Sequence, residues 1–346
     1  MATFIGLKAA RHAKAGYDVR KQGVSGLPRI TAYASDEVHD VIDRAADMLG
    51  LGSDAVRHIP TDGNLTLRTD LLRTRIQEDL EQGFQPFAIV GTAGAVATGA
   101  IDRLTEIADI CDEFSLWFHI DGAYGGVAAL VDTLRPAFKG IERADSIAFD
   151  PHKWLYTPHS GGPLVVADMS RLEKAFELHP SYVHEDKEYI RRGVDLYTLG
   201  PQFSLGFQAL KIWISLLAHG WDAYERRIAH DIELAQYLHG LAEEHPSFEV
   251  LSPQSLSIAC FRYVPPGLER TPETEEYLNT LNERLMAEVQ MDGHTFPSNA
   301  LIDDKFWLRA CIVNFRTEAD DIELLLEVAE EHGRRLDKTL RPASVK

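Results

Sequence analysis

The sequence predicts an α/β protein, with a large domain built on a mostly parallel sheet and a small C-terminal α/β domain. Three observations lead there. The chain has 346 residues, 45% apolar and 25% charged, which is enough for one large core and a smaller second one. Helical and strand patterns alternate through the first two-thirds, as they do when crossover helices join parallel strands. After a stretch with no apolar period at 183–199, a long helix opens a second, shorter alternation.

The elements follow in order. Phe4, Leu7, Lys8 and Arg11 suit an ordinary helix, although the basic start, with Lys8, Arg11, Lys14, Arg20 and Lys21 against Asp18 alone, also has the charge pattern of a transit peptide. Asp36 to Leu49 reads as a helix with Val38, Ile42, Ala45 and Leu49 on one face. Pro86–Thr92, Ser115–Asp121, Ser146–Asp150 and Gly162–Ala167 read as strands. Asp102 is placed to cap a helix carrying Leu104, Ile107, Ala108 and Cys111. Phe207, Leu210, Ile214 and Leu217 mark a helix closed by Gly220. The smaller unit shows a helix through Tyr224, Ile228, Ala235, Leu238 and Leu241, then strands at Phe248–Leu251 and Ser257–Val264. A helix near Glu275–Gln290, a strand at Trp307–Val313 and a helix at Asp320–Leu336 complete it.

Charge narrows the function classes. A net charge of −18 repels phosphate backbones and anionic lipid, so neither nucleic acid nor a membrane is an expected partner. No apolar run approaches the ~20 residues of a membrane span. Cys111, Cys260 and Cys311 are far apart and lack metal-type spacing, and a reducing cytoplasm fits them.

Two strand ends carry the chemistry. The first reads His119-Ile-Asp121-Gly-Ala123-Tyr-Gly-Gly126, the second Ser146-Ile-Ala-Phe-Asp150-Pro-His152-Lys153-Trp154. Ligands of open α/β sheets collect beyond the strands' carboxyl ends, so Asp121 and Lys153 should face one crevice. Small residues after Asp121 let a flat molecule approach the backbone. A lysine whose amine can form a Schiff base and a carboxylate that can keep a pyridine nitrogen protonated suit pyridoxal 5'-phosphate. His119, Asp121, Asp150 and His152 could alternatively be ligands of a hydrolytic metal. His119 and Asp121 do share a strand face, but Asp121 stands at its very end.

The pair Asp-Gly-Ala-Tyr-Gly-Gly and Asp-Pro-His-Lys-Trp-Leu resembles the signature of the group II pyridoxal-phosphate-dependent amino-acid decarboxylases, over essentially the whole chain. Ser35-Asp-Glu-Val-His39, His179-Pro-Ser-Tyr182 and Leu308-Arg-Ala-Cys-Ile-Val-Asn-Phe-Arg-Thr317 are similar to further family stretches. The resemblance implies a fold-type-I large domain over 1–221 and a small domain over 222–346. It implies Lys153, Tyr182 and His39 as catalytic residues, the first bearing the Schiff base and the second protonating the product. Asp121 would pair with the pyridine nitrogen, His39 and Ala123 would cover the two ring faces, and His152 would lie beside the cofactor. It further implies decarboxylation of an L-amino acid, aromatic by preference, by a cytoplasmic homodimer. The family's glycine-rich phosphate cradle falls before Met1, so the match is N-terminally incomplete, and a catalytically impaired paralogue is the alternative. Family threonines are replaced at Ala95 and Val96, and basic residues are missing around Leu205–Gln208.

Overall fold

The computed structural model describes residues 1–25, 28–159, 161–177 and 196–345. These form two compact units, one of Met1–Ala93 with Ile101–Gly220 and one of Gly94–Ala100 with Trp221–Lys346.

The first unit is built on six strands: β1 (Ile30–Ser35), β2 (Val56–Ile59), β3 (Gln85–Thr92), β4 (Trp117–Asp121), β5 (Ser146–Ala148) and β6 (Leu164–Val166). Their order is β2-β1-β3-β4-β5-β6. The first five run parallel, and β6 joins the edge antiparallel to β5. Order reverses between β1 and β3, so the carboxyl ends of the strands on either side open onto one crevice. The helices are α1 (Ala2–Lys14), α2 (Val19–Gln22), α3 (Val41–Met48), α4 (Thr69–Glu81), α5 (Leu104–Phe114), α6 (Met169–Phe176) and α7 (Ala209–His219).

The basic start is a packed helix. Leu7, Ala9 and Ala10 of α1 join Ile42 of α3, Ala32 and Ala34 of β1, and Trp117 of β4 in one core cluster. Gly6 lets α1 lie against the sheet, since a Cβ there would come within 3.0 Å of the buried His119 ring.

Three sequence expectations change. The helix predicted from Asp36 starts only at Val41, because β1 runs through Ser35 and the chain then turns. Ser35 Oγ accepts the Glu37 N–H at 3.0 Å and Asp36 N–H donates to Ile59 O at 3.0 Å, so His39 sits in a turn. Asp102 does not cap the next helix through its side chain. It is buried and accepts the N–H groups of Leu67 and Thr92, each at 2.8 Å. Of the unpatterned stretch 183–199, residues 183–195 lie outside the described residues, and Leu196–Leu199 form a single turn.

The second unit has strands β7 (Phe248–Val250), β8 (Ile258–Tyr263), β9 (Ser298–Ile302) and β10 (Lys305–Cys311) in the order β7-β8-β10-β9, all antiparallel. Helices α8 (Trp221–Glu244), α9 (Pro272–Asp292) and α10 (Ala319–Leu340) contribute Leu238, Leu281 and Ala329 to its core. Buried Asn282 stitches α9 to β8, accepting from Tyr263 N–H at 2.7 Å and donating to Tyr263 O at 2.9 Å. Strand β9 has no counterpart among the predicted elements. No helix among the described residues is long and apolar enough to cross a membrane.

Candidate active site

Strand β4 delivers Asp121 to the carboxyl edge of the sheet, where Ala123 N–H donates to its Oδ1 at 3.1 Å. The turn that follows is packed against the end of β5. Gly122 N–H donates to Ala148 O at 2.9 Å, and a Cβ on Gly122 would meet Gly126 Cα at 2.9 Å. Only glycine allows that closeness. Next along, Asp150 N–H donates to Ala123 O at 3.1 Å and Lys153 N–H to Asp150 O at 3.1 Å, so backbone bonds tie the lysine-bearing turn to the turn after Asp121. Trp154, fully buried, stacks on Tyr124 with ring centroids 4.7 Å apart and anchors the same turn from below.

Lys153 Nζ lies 3.2 Å from Asp150 Oδ2, with a third of its side chain exposed. His152 Nε2 is 3.7 Å from the same oxygen, and its ring packs against His159 at 4.4 Å. The buried His152 Nδ1 has no hydrogen-bond partner among the described residues. His39 is exposed in its turn, with Nδ1 accepting from Val41 N–H at 3.0 Å. That acceptor role leaves the neutral ring its proton on Nε2. Ala123 is half-buried.

Electrostatics ties these groups together. Burial pushes the Asp121 carboxyl above the usual carboxylate range; the Ala123 N–H, Lys153 and His39 pull it back, and Asp150 pushes it further up. His119, on the same strand, is turned inward instead. Its Nδ1 is 2.7 Å from Ser146 Oγ, and burial alone drives its pKa down to about 4. Among the described residues, no group of three or more His, Cys, Asp and Glu side chains could hold a metal ion. Tyr182 lies outside the described residues.

Asp150 escaped the sequence reading as the partner of Lys153. The signal was the i, i+3 spacing of a carboxylate and an ammonium across a proline turn. Asp102 was misread because a strand-end aspartate before a helix looks like a cap whichever way its carboxylate points.

A doubly wound sheet that sets a buried carboxylate and a turn-held lysine at its carboxyl edge defines a cofactor-binding α/β protein of the kind that takes a pyridine ring. Comparison with known proteins makes this specific. Residues 1–264 match the pyridoxal-dependent decarboxylase conserved domain, and the chain belongs to that family. It is 32% identical to the aromatic-L-amino-acid decarboxylase of Bacillus atrophaeus over 95% of this chain and 66% of that protein. With the human acidic amino acid decarboxylase GADL1 it shares 30% identity over 92% of this chain and 62% of that one. Among solved structures, apo mouse CSAD superposes with a TM-score of 0.89 at 28% identity, covering 96% and 69% of the two chains. Oryza sativa TDC with PLP and tryptamine gives 0.87 at 28%, covering 97% and 68%. The chain spans a little under two thirds of the length of these curated relatives.

Pyridoxal 5'-phosphate is the cofactor that family membership assigns, and the residues present fit its ring end. Asp121 is a buried carboxylate whose one hydrogen bond among the described residues is to the Ala123 N–H. A pyridinium N–H is the partner such a group lacks.

Proposed function

We propose that this chain is the catalytic portion of a pyridoxal-phosphate-dependent decarboxylase acting on an L-amino acid with an aromatic side chain, with Lys153 as the residue that holds the cofactor. The observation that carries the proposal is the buried Asp121 carboxylate on a turn that backbone hydrogen bonds tie, through Ala123 and Asp150, to the turn bearing Lys153, in a chain belonging to a decarboxylase family. The aromatic preference is supported by the 32%-identical relative.

When bound, the cofactor supplies an electron sink for the charge left on Cα after carbon dioxide departs. The protein's part is positional. Asp121 holds a proton at the pyridine nitrogen, which its buried position favours only with a cationic partner. His39 would cover one face of the ring and Ala123 the other, with His152 beside them. Lys153 would hold the cofactor through its amine, and Asp150 Oδ2, 3.2 Å from Nζ, would pair with that nitrogen when it is a free ammonium. Tyr182 donates the proton to Cα.

The large domain is proposed to span 1–221 and the small one 222–346. A reducing, cytoplasmic setting is proposed because Cys111, Cys260 and Cys311 lie far apart in sequence and two of them are buried as small apolar side chains. A second copy of the chain is the proposed partner, covering the exposed apolar side chains of α7.

Adding pyridoxal phosphate should give a visible absorbance band that is lost in Lys153→Ala. L-tryptophan, L-tyrosine and L-phenylalanine should yield amine at least about tenfold faster than L-glutamate and L-aspartate. The reverse order would assign an acidic substrate. Activity that survives Lys153→Ala but fails with a chelator would point to metal-dependent hydrolysis and overturn the proposal. Tyr182→Phe should keep the absorbance band and divert product from amine towards aldehyde; an unchanged amine yield would remove Tyr182 from the proton-donor role.

A further inference from the structure

A cavity of about 820 Å³ lies between α1, α2 and the C-terminal end of α6, within the first unit, and none of its lining residues belongs to the candidate active site. Its charge runs against that of the molecule. Among the described residues, Lys8, Arg11, Arg20, Lys21 and Lys174 line it, with Asp18 and Glu177 as the carboxylates, in a chain of net charge −18.

Helix capping explains part of this. Arg20 donates to Lys174 O at 2.8 Å and also to Glu177 O, and Lys8 Nζ donates to Ala175 O, all at the end of α6. Arg11 Nη1 donates to Leu49 O at 2.6 Å, at the end of α3. Helix C-termini favour cations, but their carbonyls carry only about half a charge. Capping also leaves polar atoms over. Arg11 Nε and His12 Nδ1 are buried with no hydrogen-bond partner among the described residues. Burial, then Arg20 and Arg11, lowers the Lys8 pKa to about 8, the behaviour of an ammonium short of negative charge.

The remaining wall is aromatic. Phe4, Phe176 and Phe203 line it, Lys8 Nζ sits 3.6 Å over the Phe176 ring, and Phe203 stacks on Tyr197 at 5.3 Å. The volume falls in the range of small-molecule sites, roughly 300–1,000 Å³. Guanidinium forks match phosphate oxygens, and aromatic faces accept a flat body.

We propose that this cavity binds a small organic phosphate, with the phosphate among Lys8, Arg11 and Arg20 and a flat or apolar body against Phe4 and Phe203. An anion there would favour the charged form of Lys8, so binding near pH 8.5 takes up part of a proton. The titratable groups that line the cavity with Lys8 among the described residues are Arg11 and His12 of α1, Asp18, Arg20 and Lys21 around α2, Lys174 and Glu177 at the end of α6, and Tyr197.

Titration calorimetry of the chain with 1-naphthyl phosphate tests this. Wild type should bind one equivalent at the site, at least about tenfold more tightly than it binds 1-naphthol. The double variant Lys8→Gln/Arg20→Gln should weaken binding by a similar factor, and Lys153→Ala should leave it unchanged. Because Lys8 and Arg20 also cap α6, Lys8→Arg provides a folded control. It should retain binding but lose the proton uptake, measured at pH 8.5 in two buffers of different ionisation heat. No binding at millimolar probe, equal binding by the double variant, or loss of binding in Lys153→Ala would each overturn the proposal.

Discussion

Asp121 and Asp102 are both buried at the carboxyl edge of the same sheet, and their surroundings set them apart. Asp121 has a single backbone donor to its carboxylate and is raised by burial, the environment of a group that a cationic partner would complete. Asp102 is filled at both oxygens by backbone N–H groups, which ties the segment at Leu67 to the end of β3. Burial still raises the Asp102 pKa to about 6, because the two N–H bonds only partly offset it. The sign follows from linkage. Between the unfolded value near 4 and the folded value near 6 the native state binds more protons, so this group's contribution to stability falls as pH rises and levels off above 6. Asp102→Asn cannot ionise and turns an amide N–H₂ towards a backbone donor, so it should destabilise by about 1–3 kcal/mol. Its deficit relative to wild type should be largest at pH 4.5 and narrow by pH 6.5, as read by denaturant unfolding. A deficit that widened with pH would mean that Asp102 is ionised throughout.

At the scale of the element, close approach decides what each segment tolerates. Gly6 in the middle of α1 would ordinarily gain about 1 kcal/mol of helix propensity on replacement by alanine. Here the new methyl would lie 3.0 Å from His119 Cε1 and Nδ1 and 3.3 Å from Ser146 Oγ. That ring is buried and held by Ser146, so overpacking of about 1–3 kcal/mol outweighs the propensity gain. Gly6→Ala should therefore lower the unfolding temperature, and raising it would show that α1 can lift off the sheet. The turn bearing Lys153 depends on Trp154 in the same way. Trp154→Ala removes a fully buried indole stacked on Tyr124 and should cost about 3–5 kcal/mol in thermal or denaturant unfolding.

These examples also show what sequence alone could reveal. The segments around Asp121 and Lys153 were legible because each is a contiguous strand end followed by a turn, and strand ends are where such sheets place ligands. Strand β1 was not legible. Ile30–Ser35 is fully buried yet half polar, since Thr31 and Tyr33 hide their hydroxyls on each other and on Asp79. Strand β2 carries Arg57 and His58, one paired to Asp79 and the other to Asp43, so its apolar pattern is reduced to its two ends. In β9 only Ala300 and Ile302 face inward, too few for an alternation to register. His39 was expected on a helix because its neighbours have helical spacing, which cannot show that β1 continues to Ser35 and leaves a turn behind it.

For the whole molecule, the outstanding feature is apolar surface on a highly charged protein. Helix α7 and the residues before it expose Phe207 at 71%, Trp213 at 59% and Leu217 at 67%. Such a contiguous patch on a chain of net charge −18 is the kind of surface that a partner covers. A second copy brings the same patch, and a two-fold axis through it would pair like with like. The interaction then has two opposing terms, apolar burial and repulsion between two acidic copies, and only the second is screened by salt. Dimerisation should accordingly tighten as salt rises from 0.05 to 0.5 M, the opposite of an interface held by ion pairs. Trp213→Glu places a charge at the centre of the patch and removes an aromatic anchor, whose loss typically costs about 2 kcal/mol or more, or roughly thirtyfold in dissociation constant. Sedimentation velocity at micromolar concentration should show wild-type dimer and variant monomer. A wild-type chain that stays monomeric at high salt would refute a self-association role for α7.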